Sequence, residues 1–299
     1  MYTFICEDSP NGIFSGVYDA WAFKIQQNKQ MPDGGRQSGS RAAGQTRCTH
    51  DDIRLTSREP DNYELFSQYF PVTPSAEKSD KVARTLCARL GTEFYETVMN
   101  ALLAVIPERK GEIDKADAIY HTVVLALSSP AGANTLHRLN HPHVHRVFTL
   151  SRATANEAHH LLGFLRFREL ENGVLFSTIH PKNNALPILA EHFTDRLPQE
   201  NFIIYDENRR QAAVHAAGKD FMLADASDLD EAMIKQESCR EAEYQSLWLA
   251  FFENIAIRAR VNPKLQAQNI PKRFWCDTIE LSQTGGGHFP PSRAPLPPK

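Results

Sequence analysis

Apolar positions along this chain recur with two periods, and the switches between them mark its elements. The run YTFIC at residues 2–6 is apolar apart from Thr3, as suits a buried strand. Glu7-Asp8-Ser9-Pro10-Asn11-Gly12 is turn chemistry. It leads into a predicted helix over 13–25, where Phe14, Val17, Trp21 and Ile25 recur at spacings of three and four. Asp8 or Ser9 would cap that helix, although an acidic loop there could also host a metal or a catalytic carboxylate. Short strands are expected at 53–56 and 69–73, with a helical turn near 63–66. From Ser75 the period becomes helical. Val82, Leu86 and Leu90 precede Gly91; Phe94, Val98, Leu102 and Val105 follow and end at Pro107. A third helix is expected over 113–127, and a fourth from Pro142, where proline suits the first helical position.

The clearest local grammar lies at NEAHHLLGFLRFRELENGVLFSTIHPKNN, residues 156–184. Here a helix should stop at Gly163 by adopting positive φ. Asn172-Gly173 between two β-rich runs predicts a hairpin over 164–179 in which both turn residues need positive φ. Alternation along its first strand would put Phe164, Arg166 and Arg168 on one face and Leu165, Phe167 and Glu169 on the other. A helix over 186–193, strands over 202–205, 211–215 and 219–223, and an amphipathic helix over 238–258 complete the pattern. That last helix carries Tyr244, Leu247, Trp248, Phe251, Phe252 and Ile255 on one face.

These elements predict an α+β fold. An N-terminal strand–helix unit and a helical layer (1–150) precede a mostly antiparallel sheet packed by a long C-terminal helix (151–282). Residues 27–50 and 283–299 have no hydrophobic period and read as a flexible insertion and a disordered tail. The net charge of −3 argues against a protein held on nucleic acid by bulk charge. The five cysteines are scattered with no CxxC pair, so neither a disulfide framework nor a cysteine metal site is suggested. With acidic residues near the start and no apolar run approaching 18 residues, a soluble cytoplasmic protein is expected, with no membrane partner.

Candidate chemistry concentrates around the hairpin. Glu157 and His160 share a helix face, with His159 beside them, and could act as acid and base near neutral pH. Glu157-x-x-His160 is also half of a di-iron motif, but no second half is present. The HPHVH run (His141, His143, His145) resembles a metal tract, but a helix starting at Pro142 would scatter its side chains. No metal ligand set and no cofactor are therefore assigned. Asn183, Asn184, His192, Asp195 and Arg196 sit at strand and helix ends and could face Arg166 and Arg168 to take a phosphate or a base edge. Near the C-terminus Arg258, Arg260, Lys264, Lys272 and Arg273 could meet phosphates, with Phe274 or Trp275 stacking on a base or anchoring the core. No Walker, GxGxxG, HExxH or GxSxG motif occurs.

The stretches FICEDSPNGIFSGVYDAWA, NEAHHLLGFLRFREL…NFIIYDENR and LWLAFFENIAIRARVNPKLQAQNIPKRFWCDTIEL resemble a bacterial family of DNA-metabolism or DNA-repair proteins. Members are linked to a partner radical-SAM protein, and in some a similar region is fused to a uracil-DNA-glycosylase-like domain. The resemblance spans nearly the whole chain apart from residues near 27–50 and the tail. It implies an accessory protein that binds DNA or a damaged base and works with a radical-SAM iron–sulfur enzyme. Two alternatives stand beside it: an enzyme acting on a nucleobase or phosphoester through Glu157 and a histidine, and a scaffold that docks the radical-SAM partner through the Trp248 helix.

Overall fold

In the computed structural model, which describes residues 1–29, 47–60, 62–105, 111–227, 238–255 and 262–282, the N-terminal apolar run is strand β1 (Tyr2–Ile5). It is the centre of a parallel sheet of order β2-β1-β3, with β2 (Ile53–Thr56) and β3 (Gln68–Pro71) aligned on Tyr2 at Ile53 and Gln68. Parallel strands need a crossover, and α1 (Pro10–Lys29) begins the one from β1 to β2. Ser9 caps that helix, accepting from the Gly12 N–H at 3.0 Å. Gly16 lets α1 lie close on the end of β1, since a Cβ there would come within 2.2 Å of Cys6 Sγ.

Three helices follow: α2 (Ala76–Leu90), capped by Ser75, α3 (Thr92–Leu102) and α4 (Lys115–Ser128). Gly91 separates the first two with a φ of 89°, a conformation that suits a residue without Cβ. Residues near 63–66 form a turn rather than the expected helical one, and α3 stops short of Pro107, which lies outside the described residues. Phe4, Phe14, Leu55, Leu86, Phe94, Ile119 and Tyr120 lie in the core of this first unit, Met1–Ala155. Residues 30–46 of the predicted insertion and 283–299 of the predicted tail also lie outside the described residues.

The second unit, Asn156–Lys299, is built on a five-stranded sheet of order β4-β5-β6-β7-β8. Its strands are β4 (Arg168–Glu169), β5 (Leu175–Ile179), β6 (Phe202–Asp206), β7 (Gln211–His215) and β8 (Met222–Asp225). All neighbours are antiparallel except β5 and β6, whose parallel pairing follows from the crossover helix α6 (Leu186–Arg196) between them. The hairpin forms, with two corrections. Its turn begins at Leu170, whose N–H and C=O bond to Val174 and Gly173, and of the two expected residues Gly173 alone takes positive φ, at 77°. That is a three-residue loop closed by a left-handed glycine.

Helix α5 (Pro142–Phe164) corrects the expected stop at Gly163. The helix runs through this glycine, and Leu165 N–H still reaches Leu161 O at 2.7 Å. The first hairpin strand is thereby shortened to Arg168–Glu169, so Arg166 and Arg168 do not share a strand. Helix α7 (Cys239–Ile255) packs against β4 and α9 (Ile279–Ser282). Its apolar stripe is largely solvent-facing, with Tyr244, Leu247, Phe251 and Ile255 all more than half exposed. Short α8 (Pro263–Asn269) and a 3-10 helix (Lys272–Asp277) lead to α9. Among the described residues no helix is long and apolar enough to cross a membrane.

Candidate functional site

The second unit gathers part of the residue set that the sequence singles out. Glu157 is 2% exposed, and both of its oxygens are occupied. Oε1 accepts from Lys182 N–H at 3.0 Å and pairs with Arg273 Nη1 at 3.0 Å. Oε2 accepts from the backbone and side-chain amides of Asn183, both at 2.8 Å. Four donors on one buried carboxylate pin the loop after β5. Arg209 holds the same loop from its other side, donating to the Pro181 and Lys182 carbonyls while paired with buried Asp206 at 2.8 Å.

The remaining residues of that set spread out. Arg166 pairs with Glu280 at 3.0 Å and lies over the Trp248 ring, while Arg168 lies over Phe176. His160 stacks on Phe164 and approaches Phe274; His159 is exposed. Asn184 is half-buried beside Asn183, whereas His192, Asp195 and Arg196 are exposed on α6. In the basic C-terminal run, Arg273 serves Glu157 and Lys272 lies over Trp275. The Trp275 indole donates to Ile270 O at 2.8 Å, and Phe274 is a core residue. Arg258 and Arg260 lie outside the described residues.

A different cluster forms in the first unit. Asp117 and His121 are one turn apart on α4 and therefore share a face, and His143, in the first turn of α5, joins them. One ligand atom from each of the three lies within 4.8 Å of the other two. His121 Nε2 is 3.6 Å from Asp117 Oδ1, and His143 Nδ1 is 3.9 Å from Oδ2. Asp117 is anchored from β2, because Leu55 N–H donates to Oδ1 at 3.0 Å. These side chains line a cleft of about 720 Å³ together with His50, His141, Asp51 and the cations Lys24, Arg47 and Arg54. His50 is fixed behind them, its Nδ1 2.7 Å from the Tyr120 hydroxyl and its ring against Trp21.

Burial sets the charge state of this cluster. It pushes the Asp117 carboxyl up, against the pull of the Leu55 N–H and of His143. It pushes His121 down, against Asp51 and the Ile53 backbone. His143 is lowered by burial and by His121, with Asp117 opposing. His50 falls to about 4 through burial, Lys24 and His121. At neutral pH His50, His121 and His143 therefore stay uncharged.

Sequence reasoning missed Asp117 and His121. Pro142 does start a helix and turns His145 out to solvent, but His141 and His143 stay together in the cleft, their ring centroids 5.5 Å apart, so the run is only partly scattered. The available signal was Asp117-x-x-x-His121, one carboxylate and one imidazole a turn apart on a predicted helix. Nothing in spacing alone would have added His143. The fold and cleft thus define a two-unit α+β protein with a histidine–aspartate cluster in its first unit. Residues 113–280 match the domain of unknown function DUF4130, and the chain belongs to that family. No curated protein and no solved structure matches the chain.

Two outcomes are expected. Glu157→Ala should lower the unfolding free energy by about 2–4 kcal/mol, because the Lys182 and Asn183 backbone N–H groups lose their acceptor. Exposed His159→Ala should stay within about 0.5 kcal/mol, and urea titration of both variants reads the contrast. Acid should also weaken the fold. Below the ordinary histidine range near 6.5 the unfolded chain binds protons that folded His50, His121 and His143 resist. Stability present above pH 6.5 is then lost as pH falls toward about 4, where His50 itself titrates. Asp117, raised above its usual value, acts in the opposite sense nearer pH 4. In chelator-treated protein the urea midpoint should drop between pH 7 and pH 5, and His50→Gln should shrink that drop.

Proposed function

We propose that the protein serves DNA repair or modification as an accessory to a radical-SAM iron–sulfur enzyme, holding phosphate-bearing nucleic acid in the cleft of its first unit. The sequence resemblance motivates the biological setting. The observation that carries the location is the cationic rim: Lys24, Arg47 and Arg54 border a histidine-lined floor in a chain whose net charge is −3. Bulk attraction is absent in such a chain, so a local patch has to supply the phosphate contacts. Asp51 and Asp117 in the same cleft limit how much negative charge it accepts, which suits a few phosphates better than a long tract.

A second reading is favoured by α7. Four of its apolar side chains, Tyr244, Leu247, Phe251 and Ile255, stand in solvent one turn apart, in the pattern by which a helix docks another protein. The radical-SAM partner is the candidate for that face, and the two readings are compatible.

Fluorescence anisotropy with a labelled duplex tests the first reading. Replacing Lys24, Arg47 and Arg54 together by Ala should weaken binding and flatten the plot of log K against log salt. Each phosphate that the variant no longer neutralises should take roughly 0.9 off the slope. An unchanged slope would place the nucleic acid away from this cleft. For the second, Leu247→Glu with Phe251→Glu should abolish co-purification with the radical-SAM partner while leaving duplex binding intact. Retained co-purification would remove α7 from the interface.

A further inference from the structure

The three converging side chains of the cleft floor are not arranged as an ordinary hydrogen-bonded network. His121 and His143 approach Asp117 to 3.6 and 3.9 Å, beyond hydrogen-bond reach yet aimed at the same carboxylate. His143 Nδ1 is buried with no hydrogen-bond partner among the described residues, and so is Nδ1 of neighbouring His141. A buried ring nitrogen left without a partner is costly unless something else occupies its lone pair.

We propose that Asp117, His121 and His143 bind one divalent transition-metal ion, such as zinc or iron(II). Two imidazoles and one carboxylate form the donor set these ions favour. Ligands held at about 2.0–2.2 Å from one ion stand about 3.0–3.5 Å apart. The two His–Asp gaps exceed that span by a few tenths of an ångström, and all three ligand atoms lie within 4.8 Å of one another, so the side chains close on an ion by drawing inward. The scaffold favours a defined geometry. Asp117 and His121 are fixed one helical turn apart, and Leu55 holds the carboxylate from the strand. Such an anchor outside the ligand shell is what orients a metal-binding carboxylate.

Three protein ligands leave at least one coordination position open. That a phosphate oxygen or an activated water takes it rests on the reading of the cleft given above; metal binding itself does not. The site is also separate from Glu157, whose oxygens are already occupied by backbone and arginine donors.

The test uses the full chain without nucleic acid, stripped with chelator and titrated with Zn2+ by calorimetry and with Co2+ by absorption. The expected result is saturation at one ion per chain and a rise in melting temperature. His121→Ala and His143→Ala should each weaken binding by more than about 100-fold, beyond what loss of an outer partner causes. Asp117→Asn, which keeps an oxygen for the Leu55 N–H, should weaken it as well. Exposed His145→Ala on the same helix should bind as the unaltered chain does. Should the alanine variants fail to fold, X-ray absorption of the Co2+-loaded unaltered protein decides instead, with two imidazoles expected on the ion. No saturable binding, wild-type affinity in His121→Ala, or a thiolate band pointing to exposed Cys87 would each overturn the proposal. Failure of duplex binding with metal binding intact would count against the nucleic-acid reading alone.

Discussion

A backbone N–H at a sheet edge or in a buried loop must find an acceptor, and in both units a helical carboxylate supplies it. In the first unit β2 is an edge strand, and α4 answers it with two acids. Asp117 takes the Leu55 N–H. Asp114 takes the Ser57 N–H at 3.0 Å while capping its own helix through Ala116. Edge strands left bare invite pairing with other chains, so this closure protects the sheet as well as fixing α4. In the second unit Glu157 does the equivalent for the loop after β5, receiving two successive backbone amides. Each unit thus turns a helical acid to the same problem.

The two solutions differ in what remains. Glu157 is saturated: two backbone amides, one side-chain amide and a guanidinium divide its two oxygens. Asp117 gives one oxygen to Leu55 and turns the other toward His143 without a hydrogen bond between them. A carboxylate held by one strong contact is oriented and still available, whereas one held by four is architecture. That asymmetry, more than burial or residue type, separates the cluster able to do chemistry from the cluster that holds a loop. It also explains why an acid one turn from a histidine is informative in one helix and not in the other.

Much of the fold was legible because it is written locally. The Ser75 cap, the Gly91 break, the glycine at 173 and the 3.6-residue periods of α2 and α3 need only neighbouring residues to be read. Where local rules failed, tertiary context decided. Gly163 can end a helix, but continued hydrogen bonding from Leu165 carries α5 past it. The arginine alternation presumed a long strand, and the longer helix consumed its first residue. The amphipathic stripe of α7 was visible, but periodicity says that a face is apolar and not what covers it. The candidate site was the least legible part. Glu157, His159 and His160 advertised themselves by adjacency, whereas Asp117, His121 and His143 meet only when two helices pack.

The family match has a bearing on how that cluster is read. It begins at residue 113, so it contains all three converging side chains and also Glu157, Asn183 and Arg273. It leaves out β2, which anchors Asp117, and all three rim cations, Lys24, Arg47 and Arg54. The groups able to hold an ion and the groups able to meet an anion therefore come from different parts of the chain, joined by hydrogen bonds that include Leu55 to Asp117, Ser57 to Asp114 and His50 to Tyr120. A cleft assembled this way can keep one floor while its rim changes. In the proposed reading the ion is held from α4 and the start of α5, and the anion is met from α1, from Arg47 and from β2, which carries Arg54.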